Sequence, residues 1–218
     1  MEYLQPVRVR VWGERACFTR PEMKAERVSY SVMTPSAARG ILEAIFWKPE
    51  FAWQVRCIEV LKPIRHFSML RNEVNARANY RSQEAMIAGD KRTQRHTLGL
   101  RDVSYIINAD VVTQPGVDED PAKYRDQFRR RVEKGRCFHR PYLGCREFEA
   151  YFAKPNGDER SISLDEPLGM MLLDMEFAGS PPHKPHFFRA ELKGGCLHVP
   201  DYDFNRREEP HADAAARD

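Results

Sequence analysis

At 218 residues, with 42% hydrophobic and 31% charged side chains, the chain can bury one full core with at most a smaller appendage. No apolar run nears the roughly 20 residues a bilayer span needs, and the stretch from Met1 to Pro6 lacks the basic and apolar regions of a signal peptide, so a cytoplasmic protein with no membrane partner is expected. The net charge of +3 hides a division: Arg65 to Arg101 holds eight Lys/Arg against three Asp/Glu, Asp120 to Arg146 nine against three, and Asp201 to Asp218 six acids against three bases.

Val7, Val9 and Val11 alternate with Arg8, Arg10 and Trp12, the period of a half-buried strand. Gly13 to Met33 reads as a charged linker and loop. Thr34 then caps and Pro35 opens a helix, in which Ala38, Ile41, Leu42 and Ile45 recur on one face. That helix delivers Phe46-Trp47-Lys48 at its far end, a ring pair beside a cation that suits either core closure, with Trp47 packed inside, or a nucleotide. Trp53 to Leu61 alternates as a second strand, with Pro63 marking a bend.

From Arg71 to Thr97 periodicity is lost among Asn, Arg, Ser and Gln, which predicts a mobile basic insertion at about 71–97. Leu98 to Thr113 recovers strand character. Asp120-Pro121 repeats the cap-plus-proline signal and opens a second helix to about Lys134, stopped by Gly135. A strand is expected near Arg146 to Phe152. Leu168 to Phe177 and Phe187 to Val199 read as further strands, the second turning at Gly194-Gly195.

Strand, helix, strand, strand, helix, strand is the split βαβ order of a ferredoxin-like, RRM-type α+β domain, whose sheet is a common RNA platform. The expected division is therefore residues 1–155 as that domain, 156–200 as a C-terminal β-hairpin or small antiparallel extension, and 201–218 as an acidic flexible tail. Cys17, Cys57, Cys137, Cys145 and Cys196 are odd in number and scattered, which argues against a disulfide framework or a zinc knuckle and for small, mostly buried residues. The basic body suits a phosphate backbone, duplex DNA included, or simply a solvated surface.

Several runs carry a resemblance: RVWGERACFTRPEMK from Arg10, ERVSY from Glu26, TPSAARGILEAI from Thr34, WKP from Trp47, the three arginines Arg129, Arg130 and Arg131, and LGCREF from Leu143. On these the chain resembles the fifth family of CRISPR-associated proteins, in its subtype I-C variety, over roughly residues 7–200. The resemblance implies a protein that binds the hairpin repeat of a precursor CRISPR RNA, cuts it without metal or cofactor, and keeps the 5′ handle as a subunit of the Cascade complex. It further implies attack by an RNA 2′-hydroxyl on the adjacent phosphate, leaving a 2′,3′-cyclic phosphate. That chemistry needs a base, a cation for the growing charge and an acid for the leaving oxygen.

In the family these roles fall on a tyrosine or histidine just before Trp-Lys-Pro and on a lysine-histidine pair opening the second helix. Here the first position is Phe46, which cannot titrate, and the pair is Lys123-Tyr124. Lys123 retains the cation, at a helix start suited to phosphate. Tyr124 is either a proton carrier or the first ring of a buried stripe with Phe128 and Val132. The alternative imidazoles are His139, His96 and His66. RNA contacts are expected from Lys48, Trp47, Arg71, Arg92, Arg95, Arg129, Arg130 and Arg131. The rival reading of Phe46 and Tyr124 is a non-cleaving structural subunit of Cascade.

Overall fold

A computed structural model of the chain describes residues 6–23, 25–74, 87–176 and 184–202. The elements in chain order are β1 (Val7–Ala16), β2 (Arg27–Val28), α1 (Pro35–Ile45), β3 (Phe51–Val60), β4 (His66–Val74), a 3-10 turn (Ala88–Lys91), β5 (Arg92–Thr113), α2 (Pro121–Glu133), β6 (Tyr151–Ala153), β7 (Glu166–Glu176), β8 (Lys184–Lys193) and β9 (Cys196–His198). They build a mostly antiparallel α+β protein around one nine-stranded sheet, ordered β6-β1-β5-β3-β9-β8-β7, with β2 and β4 also paired to β5.

Alternation decides which face is buried. Val7, Val9 and Val11 pair across to Ala109, Ile107 and Tyr105, and Trp53 to Val111, so these side chains share the face covered by the helices. Trp53 meets Phe128 of α2 edge-on at 4.8 Å. The opposite face carries Arg8, which donates to Asn108 and Glu59, and Arg10, which faces Glu159. α1 turns its periodic side chains inward: Ala38, Ile41, Leu42 and Ile45 are buried. Ile41, Leu42 and Ile45 are each worth about 1.5–3 kcal/mol.

Three expectations need correction. The segment read as a linker from Gly13 extends β1 to Ala16, because Gly13 sits where Leu143 and the Glu149 carbonyl press against the strand; a Cβ there would lie 2.6 Å from Leu143 Cδ1. Further on, Arg27-Val28 run parallel to Thr97-Leu98. The predicted mobile insertion is instead flanked by a regular ladder, in which Arg71 pairs with Arg95 and Val74 with Arg92. No continuous apolar stripe marks this ribbon, so the period-2 signal is faint; residues 75–86 lie outside those described. The strand expected from Arg146 shrinks to Tyr151–Ala153, as Leu143, Phe148 and Ala150 plug the core from a tight turn. β9 bonds to both β3 and β8, so β7, β8 and β9 continue the main sheet as an antiparallel extension. The acidic tail expected from residue 201 lies, past residue 202, outside the described residues.

Candidate active site

The two helices bring positions 46 and 124 together over one ring. Thr34 Oγ1 accepts from the Ala37 amide at 3.2 Å and starts α1, whose cap at the far end is Phe46. Phe46 is turned inward, 3% exposed, with its ring 5.5 Å from that of Phe51. Tyr124 of α2, 2% exposed, stands 4.9 Å from the same Phe51 ring. Phe51 is thus the floor between them, held from behind by Trp53, whose indole N–H donates to the Phe46 carbonyl at 2.8 Å.

The end of α1 leaves carbonyls to satisfy, and α2 and the chain after it supply the donors. Ala44 O accepts from the amides of Phe138 and His139 at 2.8 and 3.3 Å. Ile45 O accepts from the Arg131 guanidinium at 3.1 Å, which also lies 5.3 Å from the centre of the Phe46 ring. Arg131, expected to contact RNA, is a tie between the helices that leaves a fixed positive charge against position 46.

α2 begins at Asp120, whose side chain accepts from the Ala122 amide at 2.7 Å. Lys123 sits in the first turn with its side chain half exposed and Nζ 2.8 Å from Glu119 Oε2. The Glu119 hydrogen bond and charge hold its ammonium above the usual lysine range. Burial, reinforced by the charges of Glu50 and Glu119 against the opposing Lys123, pushes the Tyr124 phenol up as well. Both groups therefore keep their protons at neutral pH. Glu50 Oε2 is shut off from solvent with no hydrogen-bond partner among the described residues. A cation on the rim and a protonated phenol below can neutralise an anion and give up a proton; they offer no base near neutrality.

The remaining expected contacts divide. Trp47, read as a core candidate, is 55% exposed, because Phe46 takes the inward place and the next side chain points out. Lys48 beside it is partly exposed. Arg129 pairs with Asp126 at 3.3 Å, and Arg130 Nε donates to the Asp126 carbonyl at 3.3 Å, both on the outer side of α2. At the other end of β5, Arg71 points inward, donating to Glu147 at 2.7 Å and Glu73 at 2.8 Å. Arg95 faces Glu26 at 3.6 Å and Arg92 is exposed. His66 and His96 belong to the β4–β5 ribbon, while exposed His139 follows the loop bonded to α1. Among the described residues no three His, Cys, Asp or Glu side chains cluster as a metal site, and no helix is long and apolar enough to cross a membrane. Sequence reading missed Glu119 and Glu50. Only the first left a trace, four residues ahead of Lys123.

A mostly antiparallel sheet with two capped helices on one face places the chain among CRISPR-associated folds: a solved structure described as a CRISPR-associated protein superposes with a TM-score of 0.67 at 26% identity, covering 90% of this chain and 92% of that one. The chain belongs to the family described as CRISPR-associated protein (Cas_Cas5), whose model matches residues 7–200. It is 45% identical to a protein of Thermus thermophilus named CRISPR pre-crRNA endoribonuclease Cas5d, over 96% of this chain and 99% of the relative. A protein of the same name from Mannheimia succiniciproducens is 44% identical over 90% and 95%.

Proposed function

We propose that this protein is a pre-crRNA endoribonuclease that cuts the repeat hairpin and keeps the 5′ handle as a subunit of a type I-C Cascade complex. The observation that carries the reading is the end-to-end identity with relatives of that name, joined to a retained Lys123 on the first turn of α2. In this mechanism the repeat lays its scissile phosphate across the rim between Trp47-Lys48 and Lys123. The 2′-hydroxyl attacks in line, Lys123 neutralises the phosphorane, and Tyr124 gives its proton to the departing 5′-oxygen. Since positions 46 and 124 hold no base near neutral pH, solvent hydroxide takes the 2′-proton, and a 2′,3′-cyclic phosphate results.

The fold reading belongs to the same proposal. The order β6-β1-β5-β3, antiparallel throughout and with α1 and α2 on one face, supports a ferredoxin-like unit over residues 1–155, extended by residues 156–200. The test is labelled repeat RNA incubated with the purified protein in EDTA. Cleavage with a cyclic-phosphate terminus is expected; intact RNA from pH 6 to 9 would remove the enzyme reading.

Phe46 and Tyr124 favour a second reading, a non-cleaving subunit that only holds the handle. It predicts binding without cleavage in the parent chain and cleavage in the double variant Phe46→Tyr, Tyr124→His.

A further inference from the structure

Two of the runs that carry the family match take no part in the candidate active site, and they meet beside β2, away from it. The Cys17 amide donates to the Leu143 carbonyl at 3.0 Å. Gly144 next to it has φ +83°, and a Cβ there would lie 2.1 Å from the Cys17 carbonyl oxygen, so only a glycine lets the two segments come this close. The Cys145 thiol points to that same oxygen at 3.5 Å. One hydroxyl, that of Thr19, lies 3.5 Å from Cys17 Sγ and 3.8 Å from Cys145 Sγ. Arg27 of β2 donates to Cys145 Sγ at 3.4 Å.

We propose that Cys17 and Cys145 form a dithiol site that exchanges with low-molecular-weight disulfides and closes to an intramolecular disulfide. Two sulfurs converging on one hydroxyl, with a guanidinium on only one of them, is an asymmetric arrangement of attacking and resolving thiols. Its electrostatics agree: hydrogen bonding from Cys17, then from Thr19, and the Arg27 charge lower Cys145, while the Cys145 contact and burial raise Cys17. Cys145 is 9% exposed and Cys17 0%, so Cys145 is the sulfur that a reagent meets first; a cleft of about 250 Å³ is lined in part by their neighbours Thr19 and Gly144.

The exchange balances in two steps. The Cys145 thiolate attacks one sulfur of a disulfide such as oxidised glutathione and expels a glutathione thiolate, leaving a mixed disulfide. Cys17 then gives up its proton and attacks Cys145 Sγ, expelling the second glutathione. The two protein thiols are oxidised and one small disulfide is reduced to two thiols. In a protein otherwise kept reduced, such a bond is a transient, reversible modification.

The test is a peptide map of the full chain, reduced, freed of reductant, incubated with oxidised glutathione and alkylated under denaturing conditions. The expected result is a peptide pair joined through Cys17 and Cys145, two hydrogens lighter than its reduced parts and released by dithiothreitol. Cys17→Ser should stop at glutathione on Cys145. Full alkylation of both cysteines would overturn the proposal, as would glutathione retained on Cys145 of the unaltered chain. The unaltered chain decides the matter whether or not the serine variant folds.

Discussion

Lys123 concentrates the proposed chemistry in one ammonium, and its surroundings say how it should respond. Lys123→Ala removes the charge on the rim but no buried contact, so cleavage of repeat RNA should fall by at least about a hundredfold while binding, measured by gel shift, changes by less than about tenfold. Glu119→Gln frees the ammonium for a phosphate and should tighten binding. The pH dependence follows from the direction of the two shifts. Raised pKa values keep Lys123 charged and Tyr124 protonated until the solution is more alkaline than either group's ordinary value. Neither titrates between pH 6 and 9, so the rate should climb about tenfold per pH unit with hydroxide. A bell centred near a histidine pKa would instead assign the proton transfer to an imidazole such as His139.

Elements show which parts of this architecture could be read in advance. Both helices announced themselves through a side-chain cap followed by proline, and they begin where expected because those signals are local. Removing the Thr34 cap should cost about 1 kcal/mol in chemical denaturation. Phe51→Ala, which empties the floor under Phe46 and Tyr124, should cost about 3–5 kcal/mol and lower cleavage by shifting both helices. The core face of β1 was legible for the same reason, since alternation is written into the strand itself. The β4–β5 ribbon was not, because only Phe67 and Met69 of β4 pack against the core and hydrogen bonds to β5 make the rest of it a ladder. At the site the retained lysine and the two departures at Phe46 and Tyr124 were visible. The inward turn of Arg131 and Arg71 was not, since a guanidinium's partner is fixed by tertiary contact: Ile45 O lies 86 residues from Arg131, and Glu147 76 from Arg71.

Across the whole molecule, an ion pair joins the C-terminal strands to α1. Arg39 grips Asp174 of β7 with two hydrogen bonds of 2.6 and 2.7 Å, and Asp174 is 2% exposed. Arg39→Met leaves that carboxylate buried without its partner and should cost about 3 kcal/mol, read as a lower denaturation midpoint. RNA binding by the whole basic body should weaken steeply with salt, because phosphate contacts release counterions. A flat salt response would point to a handle gripped by neutral contacts.

The pairing of β5 has a further consequence for how the chain comes into being. β1, β2, β3 and β4 bond to β5, and β1 and β3 also to β6 and β9, but none of the first four bonds to another of the four. A nascent polypeptide leaving the ribosome therefore emerges with β1, β2, β3 and β4 still lacking their common partner until β5 has been translated.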